Sequence, residues 1–317
     1  MAHKTLVNGT AHEISGGKTM VAGTAYTVKS GRTLVGGTGY NLSFLPPVGT
    51  TLEDLTWEQI STISAAGLGS VYFSVGDTKS VYISGTVGTR TFNTTLYVYI
   101  LGFDHNNANN AIDFGTFKTA QTNGKDVCLI DGGYENSYTS STKYFNMNHG
   151  PSNNSGGWKG CDLRYDVLGS TDTYGANAGT TTAISPVANT LMAALPTELR
   201  IVMKPMTIYT DNVAGGPSQA SNMSASIDYL PLPAEYEIFG KTNYANTAEK
   251  NYQKQYEYFS LGNSRFKYKH NSPSIAAAWL TRSPYKGADY FCGVRTDGSA
   301  FMVDSSFSFG VWPIFRV

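Results

Sequence analysis

The sequence predicts an α+β protein with few helices and many short antiparallel strands, preceded by a β-type repeat region rich in Gly and Thr. Three observations carry that class. The last 39 residues, Trp279 to Val317, alternate short aromatic or β-branched runs with turn signals at Ser283-Pro284, Lys286-Gly287, Asp297-Gly298 and Gly310, the pattern of small hairpins with the tail tied into a sheet. A unit recurs at a spacing of 14 near the start, at Gly9, Gly23 and Gly37. Only three segments have the apolar spacing or composition of a helix.

The repeats come first. Gly9-Thr10-Ala11-His12, Gly23-Thr24-Ala25-Tyr26 and Gly37-Thr38-Gly39-Tyr40 each precede β-type residues, and a Lys/Arg-Thr-Met/Leu-Val run follows the first two units at Lys18 and Arg32. Each unit reads as two short strands joined by Gly turns. One copy cannot bury a hydrophobic face, so stacking on itself or on other subunits is expected. The alternative is a flexible Gly/Thr linker. Leu45-Pro46-Pro47-Val48-Gly49 breaks the pattern and sets the boundary between a repeat region, 1–45, and a globular domain, 46–317.

Within the globular part, Thr51 to Asp54 is a capping start for a short amphipathic helix over Leu55 to Ile63 ending near Gly67. Strands are expected at Val71 to Val75, Ser80 to Ser84 and Thr95 to Phe103, the first two joined by the turn Gly76 to Lys79. Two further helices are expected at Pro186 to Leu195 and Ala248 to Tyr258. Long Asn/Gly/Ser loops fall at Asn106 to Asn110 and Gly150 to Gly157.

Composition narrows the function. Lys+Arg and Asp+Glu are equal at 23 each and charged residues are 15% of the chain, while 41% is hydrophobic. Formal neutrality argues against a nucleic-acid partner or a polybasic membrane surface, and no apolar run is long enough for membrane insertion. The start lacks the layout of a secretory signal. Cys128, Cys161 and Cys292 are widely spaced and odd in number, so they read as buried small hydrophobes.

Catalytic signatures fail on counting. Gly17-Lys18-Thr19 ends like a phosphate loop, but His12 stands where its first Gly is required. Asp104 to Ala108 begins like a calcium loop and lacks its fifth ligand. The five histidines have no metal spacing, and there is no G-x-S-x-G elbow. Asp162 with Arg164, and Arg282, read as structural ion pairs or caps. The expectation is no enzyme, no metal and no cofactor.

The aromatic tail points to binding instead. Tyr and Phe supply contact area at low entropic cost, and strand alternation turns about half of the tail residues outward. The candidate contacts are Tyr285, Lys286, Asp289, Tyr290, Phe291, Phe301, Ser305 and Phe307, with Trp279, Arg282, Trp312 and Arg316 as framework.

From about Thr51 to the end, ordered pieces carry a resemblance. They are Trp57-Glu-Gln-Ile60 with Ala65-Ala66-Gly67, Phe73 to Lys79, Val98 to Phe103, Phe145 to Asn148, Gly157 to Arg164, Trp279 to Pro284 and Gly310 to Arg316. Together they resemble an uncharacterised domain family of gut Gram-positive bacteria and their phages. Its closing pattern is similar to the C-type-lectin fold of formylglycine-generating-enzyme type, found in variable proteins of diversity-generating retroelements. The EPN, QPD and WND tripeptides of calcium-dependent lectins are absent, and no second active cysteine accompanies Cys292.

The resemblance implies a phage virion receptor-binding protein, made in the host cytoplasm and assembled into the particle. Residues 1–45 would attach it to other virion proteins as a homo-oligomer such as a trimer. A C-terminal surface open to diversification would bind a bacterial surface ligand, glycan or protein. The alternative is a structural virion component, a head decoration or tail-fibre subunit, without a host ligand; an enzyme on the same fold is the third reading.

Overall fold

A computed structural model describes residues 46, 48–138, 144–171 and 183–317, together with the backbones of six strands between 4 and 43. Most of its regular structure is antiparallel strand, with few and short helices, so the α+β class holds.

The six N-terminal strands form three separate antiparallel hairpins. These are β1 (Lys4–Val7) with β2 (Thr10–Glu13), β3 (Lys18–Val21) with β4 (Thr24–Thr27), and β5 (Ser30–Val35) with β6 (Thr38–Ser43). Their registers match: Val7 faces Thr10, Val21 faces Thr24 and Val35 faces Thr38. The Gly turns of the repeat, with Leu45 and Pro47, lie outside the described residues.

The globular part is organised on a four-stranded antiparallel sheet in the order β18-β9-β8-β7, built from β7 (Thr78–Val87), β8 (Arg90–Phe103), β9 (Ile112–Lys118) and β18 (Ile314–Arg316). The tail therefore pairs with a strand some two hundred residues upstream, Phe315 facing Phe114. Arg316 Nε and Nη2 donate to the two oxygens of Asp113 at 2.7 and 2.9 Å. Helix α1 (Trp57–Ala65) covers this sheet with Trp57, Ile60 and Ile63, and Trp57 meets Phe114 and Phe315 edge-on at 5.6 and 6.0 Å.

The cap of α1 is Thr56 rather than the Thr51 to Asp54 segment. Thr56 Oγ1 accepts from the Gln59 N–H, and the Gln59 side chain accepts from the Thr56 N–H, a reciprocal capping box. Gly67, at φ +72°, supplies the left-handed residue that ends the segment.

Three expected elements differ. Val71 to Val75 is not a strand: Leu68 O accepts from Val71 N–H and Tyr72 N–H, closing the one-turn helix α2 (Gly69–Tyr72). Pro186 to Leu195 is helical only at α4 (Leu191–Ala194), capped by Thr190, after α3 (Gly157–Gly160). Ala248 to Tyr258 is two pieces, a 3-10 turn over Thr247–Asn251 and the start of α7 (Glu257–Ser260). Between them, Lys254 N–H donates to Asn106 Oδ1 and Tyr256 N–H to Glu237 O, so tertiary acceptors take the donors a continuous helix needs.

Smaller sheets surround this core. β10 (Val127–Cys128) runs parallel to β13 (Lys267–Lys269), which pairs with β14 (Ser272–Ala277). β11 (Met206–Asp211) and β12 (Met223–Asp228) form a hairpin after α5 (Thr197–Arg200). β15 (Trp279–Pro284), β16 (Tyr290–Val294) and β17 (Ala300–Asp304) form a three-stranded sheet, its two connections the hairpins expected of the tail. Trp279 and Trp312 are fully buried and meet at 5.2 Å. Gly115 makes room for Trp312, since a Cβ there would lie 2.5 Å from its ring.

Candidate ligand-binding surface

Alternation in β16 and β17 sorts the tail aromatics. Phe291 pairs with Val303 and both are buried, so Phe291 is core and not a contact residue. Tyr290 faces Asp304 and Cys292 faces Met302 on the opposite parity; Tyr290 and Met302 are exposed while Cys292 is covered. Phe301 is half-buried against Gly293 and meets Phe309 edge-on at 5.8 Å. Phe307 is half-buried against the main core.

Ser305 is buried and acts as a junction. Its N–H donates to Asp289 O at 3.0 Å, its Oγ accepts from Asn153 N–H at 2.8 Å, and its carbonyl accepts from Asn148 N–H at 3.0 Å. A side chain so engaged and enclosed holds loops together and does not meet a ligand. Of the eight candidates, the β15–β16 connection gathers Tyr285, Lys286, Asp289 and Tyr290. Lys286, Asp289 and Tyr290 are exposed and Tyr285 is half-exposed.

That connection is held from beneath by Asn154, a buried residue of the Gly150 to Gly157 loop. Its Nδ2 lies within hydrogen-bond reach of three carbonyls, Tyr285 O at 3.1 Å, Gly287 O at 2.7 Å and Tyr290 O at 2.9 Å. One amide therefore gathers both ends of the turn. Asp289, at φ +72°, sits in the left-handed region, which Asp and Asn enter more readily than other non-Gly residues.

A second loop flanks the turn. It leaves α6 (Glu235–Phe239) at Gly240, φ +66°. The buried Glu235 carboxylate folds it back, Oε2 accepting from the N–H groups of Asn243, Tyr244 and Ala245 at 2.9, 3.0 and 2.9 Å. Tyr244 O then accepts from Lys286 N–H, and Ala245 bridges Tyr285. Tyr244, Tyr285 and Tyr290 form an edge-to-face chain, with centroids 6.5 and 6.2 Å apart. Tyr244 and Asn154 carry no periodic or motif signal in the sequence; only the fold brings them to the tail.

Of the framework residues, Trp279, Arg282 and Trp312 are buried and Arg316 is partly exposed. Arg282 pairs with Glu237. Arg164 pairs with Asp228 at 2.6 Å, while Asp162 accepts from His149 N–H; both are structural, though not partners of each other. All three thiols are buried, and burial pushes Cys128 up to about 12 and raises Cys161 and Cys292, which disfavours the reactive thiolate. Among the described residues, no group of three His, Cys, Asp or Glu side chains is placed to hold a metal, and no helix is long and apolar enough to cross a membrane.

The model of a family described as a domain of unknown function (DUF6273) matches residues 134–317. The chain belongs to this family. The DUF6273 segment contains Asn154, the Tyr244 loop and the whole β15–β17 sheet, so the surface described here lies entirely within it. No curated protein and no solved structure matches the chain.

Proposed function

We propose that this DUF6273 protein is a phage virion receptor-binding protein. Its C-type-lectin-like domain would present the Tyr285 to Tyr290 turn to a bacterial surface ligand, and its N-terminal repeats would attach it to the particle as a homo-oligomer. The observation that carries the reading is the Asn154 amide under that turn. Exposed Tyr, Lys and Asp side chains are held on a pre-ordered backbone, which lowers the entropy lost on binding. A tail strand paired into the central sheet and many short strands joined by long loops support the lectin-like part.

The three hairpins support the attachment part. An isolated two-stranded ribbon is marginal in water, and each is a separate two-stranded sheet with the same register. Repeated units of this kind gain stability by stacking with neighbours. Oligomeric display would also convert weak single contacts into firm adsorption.

The test is saturable binding of the full chain to a panel of bacterial cells, beside a Tyr285→Ala/Tyr290→Ala variant whose folding is checked by thermal melting. Binding that the folded variant loses supports the reading. A folded, oligomeric protein that binds no cell in the panel moves the assignment to a structural virion subunit.

A further inference from the structure

We infer that a second site, a cationic and aromatic cleft beside the tyrosine chain, takes an acid-bearing sugar. The cleft has a volume of about 460 Å³ and is lined by Phe239, Lys241, Asn243, Tyr244, Arg265 and Ser299. That volume is within the range of small-ligand sites, roughly 300–1,000 Å³.

Its walls are fixed independently of any ligand. The Glu235 carboxylate pins Asn243 and Tyr244 through their N–H groups. On the other side, Asp297 Oδ1 accepts from the N–H and Oγ of Ser299 at 2.9 and 2.6 Å, setting the β16–β17 turn. Arg265 forms the floor: its carbonyl accepts from Trp279 Nε1 at 3.1 Å, and its Nε donates to Ile238 O at 3.2 Å. The guanidinium lies 5.0 Å from the Phe239 ring centre.

The charges select the ligand. Among the described residues, neither Lys241 nor Arg265 forms an ion pair, and the one Arg265 bond to Ile238 leaves the forked Nη edge for a ligand. A guanidinium fork fits a carboxylate or a phosphate, and Lys adds a point charge. Phe239 and Tyr244 line the cleft with aromatic carbon that the C–H side of a pyranose can meet, while Asn243 and Ser299 can bond its hydroxyls. A neutral sugar would leave both cations unused, and a bare anion would leave both rings unused.

The inference rests on the receptor-binding reading for the origin of the ligand. Its test does not. Glucuronic acid and glucose 6-phosphate are titrated to about 20 mM against the full chain by NMR, with glucose and inorganic phosphate alongside, reaching the millimolar affinities of single sugars. Both acid sugars, or one of them, should bind more tightly than glucose and inorganic phosphate; which of the two binds tells a uronic from a phosphorylated source. The exposed Lys241→Glu change and, separately, Arg265→Gln should weaken that binding about tenfold or more. Added salt should weaken it as well. Equal binding of glucose, binding indifferent to Lys241→Glu, or no binding of either acid sugar overturns the inference. Cell binding by the same protein is scored separately, so loss of one reading leaves the other readable.

Discussion

Arg282 holds Glu237 with both ends of its guanidinium, Nη1 to Oε2 at 2.7 Å and Nη2 to Oε1 at 3.0 Å, with both side chains almost wholly out of water. Nη1 also donates to Leu232 O. The pair ties β15, which leads into the Tyr285 turn, to α6, which leads into the Tyr244 loop. The two walls of the binding surface thus share one buried joint.

Removing either partner of this joint strands a buried charge. Glu237→Gln or Arg282→Met should cost roughly 3–5 kcal/mol in urea unfolding. The acid limb follows from the same pair: the Arg282 charge, working against burial, holds the Glu237 carboxyl well below its usual range. A depressed carboxyl stabilises the fold above its unfolded value and loses that contribution as pH falls through the folded one. Wild type should therefore lose stability as pH drops below about 4.5, and the Glu237→Gln protein should show a shallower acid limb.

Asn154 gives a prediction specific to the surface. Asn154→Ala removes the donor under three carbonyls, of which Tyr290 O keeps the Tyr285 N–H, and should cost roughly 1 kcal/mol. Asn154→Asp should do worse, because a carboxylate in that place faces carbonyl oxygens with no proton to give. Amide exchange at Gly287 to Tyr290 should rise in both variants while exchange in β8 and β9 stays slow; uniform exchange across the protein would contradict a local role.

The tail hairpins were legible because turn residues and β-branched runs act over a few positions: Asp297-Gly298 does join β16 to β17. Val71 to Val75 misled because the β-rich run lies between Gly67 and the Gly76 turn, where the backbone closes on Leu68 O instead of pairing. Phe291 and Ser305 could not be placed from sequence, since face parity depends on a register set by partner strands. Asn154, Tyr244 and the Lys241/Arg265 cleft reach the tail by long-range contacts that no local pattern encodes.

Glu249 supplies a pH test of the region behind the surface. It is fully buried, beside Ser283. Burial pushes its carboxyl up to about 8, the Ser283 hydrogen bond and the Arg282 charge opposing the rise and Glu235 and Glu237 adding to it. The folded protein then binds the proton more tightly than the unfolded chain. This contribution to stability is whole below pH ~4.5 and is lost as pH rises toward 8. Glu249→Gln should remove that decline, gaining up to a few kcal/mol at pH 8 and little at pH 4.5. Parallel curves for the two proteins would show that Glu249 ionises freely.

Lys267 has the opposite sign. It is fully buried, its Nζ donates to Tyr99 Oη at 3.2 Å, and it lies 3.8 and 5.1 Å from the ring centres of Trp312 and Trp279. Burial brings the ammonium down to about 8, with the Asp126 charge opposing the fall. Between pH 8 and 10.5 the unfolded chain holds more protons than the folded one, so stability should rise with pH across that window. Lys267→Met keeps the length, removes the charge and should flatten the rise, with a gain of up to roughly 3 kcal/mol at pH 7. The rings work against this by attracting the cation. A wild-type curve already flat from pH 8 to 10.5 would show that the aromatic box holds the charge as well as water does, and Lys267→Met would then destabilise the core.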